Sequence, residues 1–346
     1  MLFRSFDGVL DFLREAVHDP RVVAIKQTIY RTGSDPVMLE LLRKAALLGK
    51  EVTALVEPKA RFEEETNIDW AEQLEAVGVQ VVYGVVGLKT HAKMLLITRR
   101  EGHRLRRYGH LSTGNYNPRT AKLYTDISYL TSDSDITSDM DALFLHLANQ
   151  NRLPKMRQLV VSPFHLHTHM LQWIAKASQA ARQSKDARII LKMNALTDAP
   201  LIEALMSASQ SGVNIDLIIR GACTLPAGIP GKSDRIRVRS VIGRFLEHSR
   251  VIYFRAHQEE ALYLSSADWM SRNMLQRIEV AWPVRDQQLR QRLIDECLTA
   301  YLLDERDAWI MQADGSYVPV ARSRRSHGAQ QALVNRYMQQ GEKKWT

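Results

Sequence analysis

Short apolar runs bounded by turn residues alternate with amphipathic stretches along most of the chain, the pattern of strands alternating with helices in an α/β protein. Val22 to Thr28 reads as a buried strand. Ser34, Asp35 and Pro36 read as a helix start, with proline in the first turn, and Gly49 as its stop. A second strand, Val52 to Val56, ends at Glu57. The same order returns later. Arg188 to Asn194 reads as a strand, Asp198 to Pro200 as a helix start, Gly212 as a stop, and Val213 to Ile219 as a strand ending at Arg220. A lysine recurs within the first strand of each copy, Lys26 and Lys192.

The recurrence extends further. His91-Ala92-Lys93 opens an apolar strand, and His248-Ser249-Arg250 opens another. Small-residue turns follow, Ser112 to Asn117 in one copy and Ser265 to Met270 in the other. Such turns suit a close approach of backbone to a ligand. Each copy closes with a strand and a helix, Ile127 to Leu130 with Ile136 to Leu147, and Ile278 to Trp282 with Gln287 to Leu303. The repeat predicts two α/β units facing each other across a shared active site. Their expected spans are residues 1–155 and 156–312, with a basic, partly mobile tail over 313–346.

Composition sharpens this picture only in charge. The 346 residues are 45% hydrophobic and 25% charged, ordinary globular values, but the net charge is +9. That excess fits a polyanionic partner or an anionic membrane surface. Two distant cysteines in no metal spacing favour a reducing, cytoplasmic compartment. The N-terminal pattern, Met1 to Val17, is amphipathic and unlike a signal peptide, and leaves peripheral association with a membrane open.

Two histidines, each followed two residues later by a cation, suit phosphoryl transfer. Neutral imidazole is a nucleophile that titrates near working pH. A second, protonated imidazole can give its proton to the leaving oxygen. Flanking cations stabilise charge on the equatorial oxygens. His165, His167 and His169 form a tempting triplet, but no cysteine or carboxylate completes a metal site there. His103 and His110 flank an arginine-rich turn, where polyanion contact and a solvated hairpin are both open readings.

The histidine motifs resemble the phospholipase D superfamily, although Arg250 replaces lysine in the second and no carboxylate follows either within Met94 to Arg100 or Val251 to Ala256. The segments Ile25 to Gly33, Glu57 to Phe62, Gly87 to Lys93, Ser112 to Asn117 with Leu123 to Asp126, Ile219 to Cys223, and Gly243 to Arg250 are together similar to the long, phospholipase-D-like bacterial polyphosphate kinases, from about Ser5 to Tyr317. The resemblance implies tandem phospholipase-D-like domains and reversible transfer of the ATP terminal phosphoryl to polyphosphate. It makes His91 the phosphohistidine nucleophile and His248 the acid/base group. It places Tyr124 and Arg220, with His248, on the nucleotide. It makes Arg31 and Arg61 phosphate clamps lining an Mg2+ site, because arginine has no lone pair for a metal. Lys93, Asn115, Asp126, Arg250 and Arg277 would support the site. Lys26, Lys93, Arg119, Lys122, Lys192, Arg250, Arg272 and Arg277 are candidates for the polymer path. ATP, ADP and polyphosphate are the implied partners, with a homo-oligomer and no specific nucleic acid. Family members carry an N-terminal helical domain and a head domain before this region, so the chain is expected to be a C-terminal catalytic half. Two other readings are a metal-independent phosphodiesterase or nuclease and a non-catalytic polyanion-binding remnant.

Overall fold

The computed structural model describes residues 6–30, 37–57, 64–85, 87–321 and 328–342. Among these, the chain forms two compact units, Met1–Pro163 with Gln276–Trp282, and Phe164–Leu275 with Pro283–Thr346.

The first unit runs α1 (Asp7–His18), β1 (Val22–Ile29), α2 (Val37–Leu47), β2 (Glu51–Val56), α3 (Glu64–Glu75), β3 (Gln80–Val82), β4 (Lys89–Thr90), β5 (Met94–Glu101), β6 (Arg104–Ser112), α4 (Pro118–Ala121), β7 (Tyr124–Thr125), β8 (Ser128–Thr131), α5 (Ser134–Asn149) and β9 (Val160–Ser162). Its main sheet has the order β3-β2-β1-β5-β6-β8. β1, β2 and β3 are parallel, whereas β5, β6 and β8 are antiparallel. α1 and α2 bury Leu13, Leu39 and Leu42 with Ile25, Val52, Val56 and Leu95 of the sheet. Burying each such side chain contributes roughly 1.5–3 kcal/mol.

The second unit runs α6 (Leu166–Arg182), β10 (Ala187–Met193), α7 (Ala199–Gln210), β11 (Asn214–Ile219), β12 (Ile236–Val241), β13 (Leu246–Glu247), β14 (Arg250–Ala256), β15 (Glu259–Ser265) and α8 (Ser271–Leu275). β16 (Arg277–Pro283) returns to the first unit. α9 (Gln287–Leu293), a π-helical turn over Ile294–Thr299, α10 (Ala300–Leu302), β17 (Ala308–Met311), β18 (Tyr317–Pro319) and α11 (Ala329–Glu342) complete it. Its strand order, β18-β17-β12-β11-β10-β14-β15, contains the five-strand core of the first sheet. β12, β11, β10, β14 and β15 stand where β3, β2, β1, β5 and β6 stand, with the same strand directions. The internal repeat is therefore a repeat of topology.

Two expectations change. Ile278 to Trp282, read as closing the second copy, pairs through β16 with β4 and β9 of the first unit, so a strand crosses between copies. The stretch beyond 312 is not simply a tail: β18 and α11 lie in it, while 322–327 lie outside the described residues. Apolar periodicity did not reveal α11, because its innermost anchor is a buried amide, Gln330.

Candidate functional site

His91 leaves β4 at the edge of the first unit. Its backbone N–H and that of Ala92 both donate to the Ile278 carbonyl at 2.9 Å. The next residue on β16, Glu279, is fully buried, and both its carboxylate oxygens lie 2.9 Å from His91 Nδ1. One residue therefore fixes the histidine's backbone and the next fixes its ring. A carboxylate at Nδ1 selects the tautomer with the proton there, which puts the lone pair on Nε2 and stabilises an imidazolium if one forms. The Tyr30 ring meets His91 edge-on at 5.0 Å between centroids. Lys89 and Lys93 ammonium groups lie over Tyr30 at 5.6 and 5.0 Å. Lys93 is buried and donates to the His91 carbonyl. Glu57, at the end of β2, accepts the Thr90 N–H at 2.6 Å and so anchors the strand that delivers His91.

The turn after β6 packs beside this group. Ser112 Oγ accepts the Gly114 N–H, and Thr113 Oγ1 donates to Asp126 at 2.8 Å while accepting the Ile127 N–H. Gly114 is required by space: a Cβ there would fall on the Asp126 carboxylate. Gly114→Ala is expected to lower stability by about 1–3 kcal/mol, the usual cost of overpacking, with Asp126→Ser restoring part of it. Urea unfolding checks this, and an unchanged midpoint would mean that the turn yields freely. Asn115 Oδ1 is shielded from solvent with no hydrogen bond among the described residues. Tyr124 lines a cleft with Asn115, Tyr116, Ala121 and Asp126.

The second unit builds a different network on the same plan. Ser265 Oγ accepts the Ala267 N–H just as Ser112 accepts that of Gly114, which places Asp268 where the first copy has Asn115. Asp268 receives Arg250 through Nε at 3.2 Å and a terminal nitrogen at 2.9 Å. It also accepts the Asn194 N–H at 2.8 Å, and Arg220 donates to Asn194 Oδ1 at 2.9 Å. Burial would push the Asp268 carboxyl up, but the Arg250 charge and these hydrogen bonds outweigh it and hold the group well below the usual carboxylate range. Arg250 also reaches the His248 carbonyl at 2.7 Å and faces its ring at 3.2 Å. A chain of contacts thus runs from Arg220 through Asn194, Asp268 and Arg250 to His248. The acid missing after the second histidine motif comes instead from the turn after β15.

A model of polyphosphate kinase C-terminal domain 1 matches residues 1–153, and one of C-terminal domain 2 matches 159–331. The chain belongs to the polyphosphate kinase family. It is 51% identical over 339 residues to a polyphosphate kinase of Burkholderia ambifaria, and 50% identical to one of Paraburkholderia phytofirmans, covering 97% of this chain and 49% of each relative. It therefore spans about half the length of these curated relatives. The crystal structure of polyphosphate kinase from Porphyromonas gingivalis superposes with a TM-score of 0.89 at 35% identity, over 99% of this chain and 52% of that one. A phosphatidylserine synthase from Haemophilus influenzae shares the fold alone, with a TM-score of 0.59 at 10% identity over 89% of this chain and 86% of that one. The fold is two tandem α/β domains of one repeated topology, shared with both structures.

In this chain, the first unit holds His91, Lys93, Asn115, Tyr124, Asp126 and Arg277, and the second holds Arg220, His248 and Arg250. Arg31 and Arg61 lie outside the described residues. One polymer-path candidate is corrected. Lys192, 2% exposed, pairs with Glu247 at 2.7 Å and so serves the interior of its unit, whereas Lys26 keeps a partly exposed side chain beside Asp141 at 2.7 Å. His110 is not a polyanion contact. It is 1% exposed beside the Tyr116 hydroxyl, and burial pushes its pKa down to about 3, which keeps it neutral. His167 is occupied by Asp198 and His169 by the Tyr263 hydroxyl, so the triplet does not converge. Glu279, Asp268, Glu247 and Tyr30 were missed. A lone carboxylate inside Ile278 to Trp282 was the available signal for Glu279, since a charged residue in an apolar strand needs a partner.

Proposed function

We propose that this chain carries the phosphoryl-transfer core of a polyphosphate kinase, moving the terminal phosphoryl of ATP to polyphosphate and back through a phosphohistidine at His91. The observation that carries this reading is the buried Glu279 carboxylate against His91 Nδ1, which leaves Nε2 as the nucleophilic nitrogen. Nε2 attacks the terminal phosphorus and an N–P bond forms as the bond to the ADP oxygen breaks; in a second step a terminal oxygen of the polymer attacks that phosphorus, a new P–O bond forms as the N–P bond breaks, and the imidazole is freed. Glu279 supports the positive charge that the ring gains. In the same reading His248 moves the proton, Tyr124 and Arg220 contact nucleotide, and Lys93, Asn115, Asp126, Arg250 and Arg277 support the reacting groups. Among the described residues, no group of three His, Cys, Asp or Glu side chains could hold a metal ion. Mg2+ belongs to this reading as a companion of the substrate phosphates, its common mode of binding, and neutralises charge when bound.

No helix among the described residues is long and apolar enough to cross a membrane. Cys223 and Cys297 are free thiols, which agrees with a cytoplasmic setting beside the ATP pool. A homo-oligomer with peripheral membrane contact completes the proposal.

The test is to incubate the chain with Mg2+ and either ATP or long-chain polyphosphate, then map phosphorylation by mass spectrometry under non-acidic conditions. Phosphate on His91 from either donor is the expected result. Phosphate on another residue, or turnover without a covalent intermediate, would reject the assignment.

A further inference from the structure

The residue preceding His248 is held from the far end of the chain. Glu247 is 5% exposed, and three groups converge on its carboxylate. Tyr301 OH donates to Oε1 at 2.9 Å, Gln330 Nε2 donates to the same oxygen at 2.6 Å, and the Lys192 ammonium lies 2.7 Å from Oε2. Lys192 also sits over the Tyr301 ring, 3.3 Å from its centroid. Gln330, on the first turn of α11, is 2% exposed and has a second task. Its Oε1 accepts the Phe245 N–H at 2.8 Å, and its Nε2 donates to the Phe245 carbonyl at 2.8 Å. One side-chain amide thus satisfies both backbone groups of Phe245 as a neighbouring strand would, while also gripping Glu247. The approach is so close that a Cβ on Gly243 would strike the Gln330 amide. From Gly243 to Glu247, the segment delivering His248 is fixed by this side chain.

We infer that Gln330 is a positioning residue for His248, acting through Phe245 and Glu247, and that α11 is part of the machinery that places this histidine. This rests on the role proposed for His248 above. The helix has other anchors: the Ala329 N–H donates to Asp304 at 2.7 Å, and Tyr337 OH donates to buried Glu296 on the π-helical turn. Those anchors hold the helix at other points, whereas Gln330 bonds directly to Phe245 and Glu247 beside His248. A buried amide meeting three partners sets geometry more sharply than apolar packing does, because each lost bond leaves a buried polar group unpaired.

The experiment compares Gln330→Met, which keeps volume and loses the hydrogen bonds, with Tyr337→Phe, which loosens the same helix elsewhere. In the full chain, Gln330→Met is expected to lower kcat for ATP synthesis from polyphosphate by about tenfold or more, the range of a misplaced proton donor. The KM for polyphosphate should stay within about twofold, as for an interaction made only in the transition state, and Tyr337→Phe should retain wild-type kcat. Imidazole NMR gives the reading independent of turnover. The His248 signals should shift or split in Gln330→Met and stay in place in Tyr337→Phe. Unmoved His248 signals, or equal losses of activity in both variants that track their melting temperatures, would overturn the inference. A wild-type chain without turnover would refute the proposed function, and the NMR comparison would still decide the role of Gln330.

Discussion

Replacing His91 with alanine is expected to abolish phosphoryl transfer and covalent labelling together, while Glu279→Gln is expected to lower kcat by about 10²- to 10⁴-fold with the protein still folded. The alanine variant has no nucleophile. The glutamine variant keeps the ring but changes its tautomer. An amide can donate to Nδ1, which drives the ring proton onto Nε2 and removes the attacking lone pair. The comparable carboxylate-to-amide change beside a catalytic histidine in serine proteases costs about 10⁴. Because both Glu279 oxygens stand 2.9 Å from Nδ1 and the carboxylate is fully buried, no solvent is placed to substitute for it. Single-turnover labelling with polyphosphate measures both variants. Near-normal labelling in Glu279→Gln would show that the ring is oriented by other groups, and labelling in His91→Ala would remove His91 as the nucleophile.

The repeat was legible because it is written in local signals. Strand lengths, Pro36 and Pro200 near helix starts and Gly49 and Gly212 at helix ends all fall within a few residues of what they govern. Of the five strands the sheets share, those signals and the histidine motifs mark β1, β2 and β5 with β10, β11 and β14, whereas β3, β6, β12 and β15 and the strand order carry no such mark. The histidines were legible because each is followed by its own cation. What could not be read was every interaction that closes over a long chain separation. Glu279 reaches His91 across 188 residues on a strand assigned to the other copy, and Gln330 reaches Phe245 across 85. Lys192 was misread for the same reason. Its partner, Glu247, lies outside the strand and helix that made the lysine recognisable. A buried cation without a visible partner looks like a ligand contact until its counter-ion is found.

That dependence on remote partners makes Asp268 a vulnerable point of the second unit. Asp268→Asn is expected to cost about 3–5 kcal/mol, the usual penalty for breaking a buried pair. Arg250, 2% exposed, would keep its charge and lose the Asp268 carboxylate. For a unit of this size the penalty lowers the melting temperature by roughly 6–20 °C. The damage should reach function as well, since the freed guanidinium also holds the His248 carbonyl and faces its ring. Acid distinguishes this account from a simple packing defect. The folded-state carboxyl is held well below the usual carboxylate range, because Arg250 and the hydrogen bonds outweigh desolvation. The stability it contributes is therefore complete above the unfolded-state value, near 4, and is lost only as pH falls from there through the lower folded-state value. The difference in urea midpoint between wild type and Asp268→Asn should be constant from about pH 7 to 5 and shrink steadily below about pH 4. A difference that persists undiminished at lower pH would mean that Asp268 acts through shape and not charge. A difference that fades between pH 7 and 5 would point to titration of His248 instead. In either case Arg250 would be held mainly by its backbone contact to His248, and the line of residues from Arg220 to the histidine would not act as one unit.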